Sequence, residues 1–144
     1  MNGPPTGVLI VRAGALRLAL RLADVLEVGD TRPAQLVPKS LPALRGLTIV
    51  RDRLVPLVHL ESLLWGIEAP PEPGVTMICV RIAGRWVALE VDDADAAPDQ
   101  EILQAPQGLA ADWATGAVCR ADGWVPLLNP DALADRFHGV EVET

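Results

Sequence analysis

The sequence matches itself at an offset of about seventy residues, and this internal repeat constrains the fold more than any single motif does. Val55-Pro56-Leu57-Val58 aligns with Val125-Pro126-Leu127-Leu128, and at the same offset Gly46 meets Gly116, Leu63 meets Leu133 and Ala13-Gly14 meets Ala83-Gly84. Slipping the offset by one residue places Leu18-Ala19-Leu20 over Val87-Ala88-Leu89. The chain therefore reads as two related halves. They meet near residues 67–74, where three prolines and a glycine exclude a regular element and read as a linker. With 144 residues the two halves fit one domain, large enough to bury a core without disulfides or a metal.

Each half opens alike. Val8 to Arg12 and Thr76 to Ile82 are β-like runs ending at an Ala-Gly pair and followed by a second apolar run, the pattern of a hairpin turning on a glycine. Arg17, Arg21, Asp24 and Glu27 recur at helical spacing and would make one polar stripe. Their counterpart, Arg85 to Val91, is β-forming and alternates, so the repeat favours a strand followed by a turn or a short second strand. Later come the strand pairs Leu47 to Val50 with Leu54 to Val58, and Ala117 to Arg120 with Trp124 to Leu128, the second enclosing Asp122-Gly123. A short helix closes each half. In the second, Asn129 can cap, Pro130 suits the first position, Asp131 favours the positive end and Gly139 can terminate. The expectation is a mostly β protein of two small five-stranded, SH3-like antiparallel barrels with short helices. The first lobe would span about 8–66 and the second about 75–138, with strands open to exchange between them.

A net charge of -7 without a Lys/Arg cluster argues against nucleic acid as a partner. Every long apolar stretch is soon broken by a charge and the first residues carry no basic region, so a cytosolic protein without a signal peptide, span or other membrane insertion is expected. Cys79 and Cys119 lie far apart in apolar runs without metal-ligand spacing, and are expected as buried, reduced core residues. Asp92, Asp93, Asp95 and Asp99 read as a solvated loop, since a calcium loop would need a glycine and a terminal Glu that the spacing lacks. His59 and His138 have no neighbouring Ser or Cys nucleophile, so neither is taken as a catalytic base. No catalytic residue, metal ligand or cofactor is expected. Trp86 and Trp124 read as core or inter-lobe packing, Trp65 as the end of the first helix, and Trp113, in an irregular stretch, as an exposed anchor.

The stretch from Leu41 to Leu60, LPALRGLTIVRDRLVPLVHL, resembles the signature of CheW-like domains. There a proline and a basic-Gly pair precede a strand, an Arg-Gly turn follows, and the next strand carries Val-Pro and ends in Asp-Leu. Leu18-Ala19-Leu20 through Val25-Leu26-Glu27-Val28, and Val91-Asp92-Asp93, resemble its other elements, so the likeness covers about residues 8–135. The resemblance implies paired five-stranded barrels around a shared core, no active site, and an adaptor that couples chemoreceptors to a histidine kinase. The cytoplasmic tip of a chemoreceptor and the kinase regulatory domain would be the partners, with recruitment to membrane receptor arrays. It places Val25, Glu27, Val28, Arg45, Gly46 and Arg51 on the receptor side, and the kinase side around Ala88 and Ala94. Two valines would supply affinity, three charges register, and Gly46 room for the partner backbone. The sequence departs from the pattern at Asp52 for Gly, His59 for Asp, Ile49 for Asn and Ala88 for Gly. Asp tolerates a left-handed turn. Two other readings follow from the same residues: a scaffold for another client in a motility or polarity system, and a small-molecule binder or enzyme using the cleft between the barrels.

Overall fold

A computed structural model describes residues 6–36, 41–106, 108 and 111–137. The strands are β1 (Thr6–Ala13), β2 (Leu16–Arg21), β3 (Val25–Asp30), β4 (Leu44–Val50), β5 (Arg53–His59), β6 (Thr76–Ile82), β7 (Arg85–Val91), β8 (Asp93–Gln100), β9 (Ile102–Leu103), β10 (Ala114–Arg120) and β11 (Gly123–Leu128). A 3-10 turn occupies Leu22–Asp24, α1 spans Leu60–Trp65, and a 3-10 helix spans Pro130–Phe137. The segment with a helical polar stripe is strand, 3-10 turn and strand. Leu18 and Leu20 enter one core while Ala19 enters another, so both faces of β2 are buried and period two prevails.

The strands form two sheets, ordered β8-β1-β2-β11-β10-β9 and β3-β6-β7-β5-β4. Neither is made by one half of the chain. The first takes β1 and β2 from the first half and β8 to β11 from the second; the second takes β3 to β5 and then β6 and β7. The halves interlock through two parallel contacts, Leu57 opposite Ala88 and Leu127 opposite Ala19. These are the residues that the repeat superposes, Leu57 on Leu127 and Ala19 on Ala88. Each half thus completes the other's sheet by an equivalent exchange, and the lobes are not wholly antiparallel.

Three apolar clusters follow from this arrangement. Taking each sheet as one lobe, Val8, Ala19, Ala97, Val118, Val125 and Leu127 fill the first lobe, and Val50, Val55, Leu57, Met77, Cys79 and Ala88 fill the second. Between them lies the main core, including Leu18, Leu20, Leu60, Leu63, Ile78, Leu89, Leu128 and Leu133. Val125 and Leu127 play in one lobe the part of Val55 and Leu57 in the other, which is why VPL recurs in the sequence. The sixth strand of the first sheet is the two-residue β9, paired to β10 through Leu103 and Ala117; its counterpart beside β4 is a single bridge, Gln35 to Leu47.

Carboxylates hold both opening hairpins. Glu61, in the first turn of α1, accepts from the Ala15 amide at 3.1 Å, and Asp131, in the first turn of the last helix, accepts from the Ala83 amide at 2.9 Å. Asn129 accepts from the Asp131 amide at 3.3 Å, the capping expected of it. Gly139 and His138 lie outside the described residues. The acidic stretch is not a loop: Asp93 to Gln100 is a strand whose Asp93, Ala94, Asp95, Ala96 and Ala97 pair with β1. Ala94 and Ala97 turn inward while Asp93, Asp95 and Asp99 stay exposed, which lets it serve as the outer strand of the sheet.

Candidate functional site

The face expected to meet a receptor is built where β3 runs beside the β4–β5 turn. That turn has two residues, Arg51 and Asp52, with φ of 49° and 63°, the left-handed pair of a tight hairpin. Asp52 thus keeps the backbone that the family's glycine provides. The turn aims Arg51 at β3, where its Nε donates to Glu27 Oε1 at 3.0 Å and its Nη2 to the Leu26 carbonyl at 3.5 Å. A register shift between Val25 and Glu27 bulges β3 at that point and leaves the Leu26 carbonyl available. Glu27 also accepts from Arg32 Nη2 at 3.3 Å, and Arg32 Nη1 donates to the Ile49 carbonyl at 2.9 Å. Val28 is 43 % exposed, whereas Val25 packs partly against the main core. The result is a half-buried carboxylate gripped by two arginines, with the Arg51 side chain 60 % accessible and Val28, the next residue of the strand, exposed on the other face.

Arg45 and Gly46, assigned by resemblance to the same side, are turned inward by their surroundings. The Arg45 guanidinium donates from Nε and Nη2 to Glu90 Oε1 at 3.0 and 2.9 Å, from Nη1 to the Pro70 carbonyl and from Nη2 to the Glu72 carbonyl at 2.8 Å. Glu90 is 1 % exposed, and this fork both neutralises it and straps the Pro-rich linker to the lobe. Gly46 has φ +145°, and a Cβ there would lie 2.2 Å from the Gln35 carbonyl oxygen. The backbone that approaches Gly46 is the chain's own.

On the kinase side, Ala88 is 0 % exposed, inside the second lobe's cluster. It can set packing but cannot touch a partner, because its strand is covered on both faces. Ala94 sits on β8, half-buried against the main core. Structure brings Glu27 and Arg51 together, whereas Val25 and Val28, opposite Val80 and Ile78, turn to the other face of β3; Ala88 and Ala94 lie on different sheets.

Other expectations are revised. Trp113 is 7 % exposed and packs in the main core, since the turn that carries it folds back so that Asn129 donates its amide to the Trp113 carbonyl at 2.9 Å. Trp124, 41 % exposed, faces out instead of Trp113, opposite Cys119, which is exposed and not a core residue. The pair takes the places of Ile49 and Leu54, a cross-strand pair 59 % and 47 % exposed. Cys79 is buried, and burial pushes its thiol pKa up to about 11. Trp86 is half-buried on β7, and Trp65 stands 64 % exposed at the end of α1, which stops at Gly66 with φ 69°.

His59, where the resembled pattern has Asp, is the N-cap of α1. Its Nδ1 accepts from the Ser62 amide at 3.3 Å and contacts Ser62 Oγ at 2.7 Å, so against expectation a serine does neighbour His59. Ser62 is 1 % exposed and its Oγ donates to the Glu68 carbonyl at 3.2 Å, and the histidine plays the capping part of Asn129 in the other half. Burial lowers its pKa, against the opposing pull of Glu90. Two residues central to this geometry, Arg32 and Glu90, were not singled out by their sequence context; Glu90 reads as a routine polar position on an alternating strand. Among the described residues there is no group of three or more His, Cys, Asp or Glu placed to hold a metal ion, and no helix long and apolar enough to cross a membrane.

The CheW-like domain model matches residues 7–138. The chain therefore belongs to the CheW-like family. It is similar to the crystal structure of the scaffolding protein TtCheW from Thermoanaerobacter tengcongensis, with a TM-score of 0.76 and 19 % identity over 90 % of this chain and 92 % of that one. At that identity the likeness establishes the fold. No protein of curated function matches the sequence significantly.

Proposed function

With membership of the CheW-like family as the premise, we propose that this chain is a non-catalytic adaptor that couples a chemoreceptor tip to the regulatory domain of a histidine kinase. The observation that carries the receptor side is the Glu27–Arg51 pair, 3.0 Å apart, on β3, an edge strand whose next residue, Val28, is exposed on its other face. Such a pair holds two long side chains in one geometry before a partner arrives, so less ordering entropy is lost on binding, and Val28 supplies apolar area. Arg45 and Gly46 contribute by shaping the strand under this face. The kinase side falls near Ala94, on the outer strand of the other sheet. Adaptor action needs no chemistry of its own, and two faces on two interlocked lobes can report each partner's position to the other.

Titration of a receptor-tip fragment into the protein and its Val28→Glu variant tests the receptor face. Saturable binding weakened at least about tenfold by Val28→Glu, as expected for losing a valine contact worth about 1.5 kcal/mol, supports the reading. Equal binding by both proteins places the receptor elsewhere, and no binding by either favours a scaffold with a different client.

A further inference from the structure

The first residues of β5 and β7 lie at the same end of the second lobe, because these strands are parallel with Leu57 opposite Ala88. Stepping back two residues on each strand reaches Val55 and Trp86, and a further step on β5 reaches Arg53. Trp86 closes this end of the apolar cluster, half-buried. Arg53 lies over its ring at 4.6 Å from the centroid and Arg51 at 5.9 Å. Arg81, exposed, is its direct cross-strand partner on β6 and so shares its face. Among the described residues no carboxylate pairs with Arg53 or Arg81. Asp52, between Arg51 and Arg53 in the turn, forms no ion pair with either.

The repeat provides an internal comparison. By hairpin register, in which Arg12 lies opposite Arg17 as Arg81 lies opposite Trp86, Arg17 stands in the place of Trp86 and Arg12 in that of Arg81 at the equivalent end of the first lobe. There Arg17 meets Asp122 at 2.6 Å and Arg12 meets Asp92 at 3.7 Å, while Asp93 and Asp95 line the same open groove of about 270 Å³ with Arg120. One end is internally neutralised and the other is not. Counting Arg32, Arg51, Arg53 and Arg81 against Glu27 and Asp52, the second lobe's end is locally positive in a chain of net charge -7.

We infer that the Trp86 end of the second lobe docks an acidic segment of a partner protein, with Arg53 and Arg81 as the carboxylate-binding residues. A guanidinium stacked on an indole is already ordered and keeps its donor edge free for a carboxylate fork. The ring offers an apolar floor for the segment's aliphatic stems. Charge selects the partner class: a short acidic stretch sits within a Debye length of about 8 Å of these arginines, whereas a nucleic acid or an anionic membrane would also face the protein's overall negative charge. Arg32, Arg51 and Glu27 belong to both faces, but Arg53, Arg81 and Trp86 belong to this one alone, so the inference does not rest on the receptor reading.

A fluorescein-labelled deca-glutamate peptide is the probe, its anisotropy followed against protein concentration at 25 and 200 mM NaCl. Saturable binding is expected, weakened at least tenfold by the higher salt and at least tenfold by Arg53→Glu with Arg81→Glu. Arg12→Glu with Arg120→Glu, at the other lobe's end, should change it less than twofold. Trp86→Phe should weaken it severalfold while leaving the far-UV spectrum unchanged. Absence of saturable binding, or equal losses from the two double variants, would overturn the inference. Binding of a receptor-tip fragment that survives Arg53→Glu with Arg81→Glu would separate this site from the receptor face.

Discussion

Arg45 donates twice to a single oxygen of Glu90, Oε1, from Nε at 3.0 Å and Nη2 at 2.9 Å, and the same guanidinium reaches the linker carbonyls of Pro70 and Glu72. One side chain thus couples a strand of the first half, a strand of the second and the segment joining them. Removing either partner leaves a charge in a site where Glu90 is 1 % exposed. Arg45→Met and Glu90→Gln are each expected to lower stability in urea unfolding, by about 3 kcal/mol. The double variant should lose clearly less than the sum, because neither charge is then orphaned.

Gly46 and Gly116 both sit where the register of their hairpin shifts, and both are crowded by a carbonyl of a returning segment, Gln35 in one case and Leu103 in the other. Only Gly46 also has a positive φ, +145°. Gly46→Ala should therefore cost more stability than Gly116→Ala, by about 1 kcal/mol or more in denaturant unfolding, since strain adds to the close contact.

Stability should fall on acidification in a way that depends on His59. Burial holds its pKa in the folded protein below the usual value, so protonation favours the unfolded chain, and the protonated ring can no longer accept the Ser62 amide. The contribution is complete above about pH 6.5 and is lost as the pH drops through the lowered folded value. His59→Asn, which caps without titrating, should flatten the unfolding midpoint below about pH 6.5. The full loss is about 1 kcal/mol, the worth of a typical cap.

The two cysteines should separate cleanly by reactivity. Cys119 is exposed, whereas Cys79 is buried with its thiol pKa raised to about 11. One thiol should react with a disulfide reagent within minutes in the native protein and the second only on unfolding; Cys119→Ser should remove the fast phase alone.

The paired-lobe fold was legible because the repeat marks buried positions. Val55, Leu57, Val125 and Leu127 recur since each fills the middle of its own lobe. The exchange of strands was only partly legible: a repeat says which residues are equivalent, not whether Leu57 meets the Ala88 of the other half or the Ala19 of its own. Side-chain orientation was least legible. Arg45 and Arg51 both follow an apolar residue in a β-rich stretch, yet one points under the linker and the other across a turn, and that difference arises from Glu90 and Glu27, partners distant in sequence. Trp113 and Trp124 were exchanged for a similar reason, since an irregular segment can fold inward when a neighbouring helix covers it, and an alternating strand must put some large residue outside.

Coupling is tested by calorimetric titration of the protein with the regulatory domain of a chemotaxis-type histidine kinase from the same organism, before and after saturation with a receptor-tip fragment, in the parent and in Arg51→Ala. Both partners should bind the parent at once, and Arg51→Ala should weaken the receptor fragment at least about tenfold, roughly 1.4 kcal/mol, with kinase binding unchanged. A folded protein that binds neither partner, or in which each displaces the other, would contradict it.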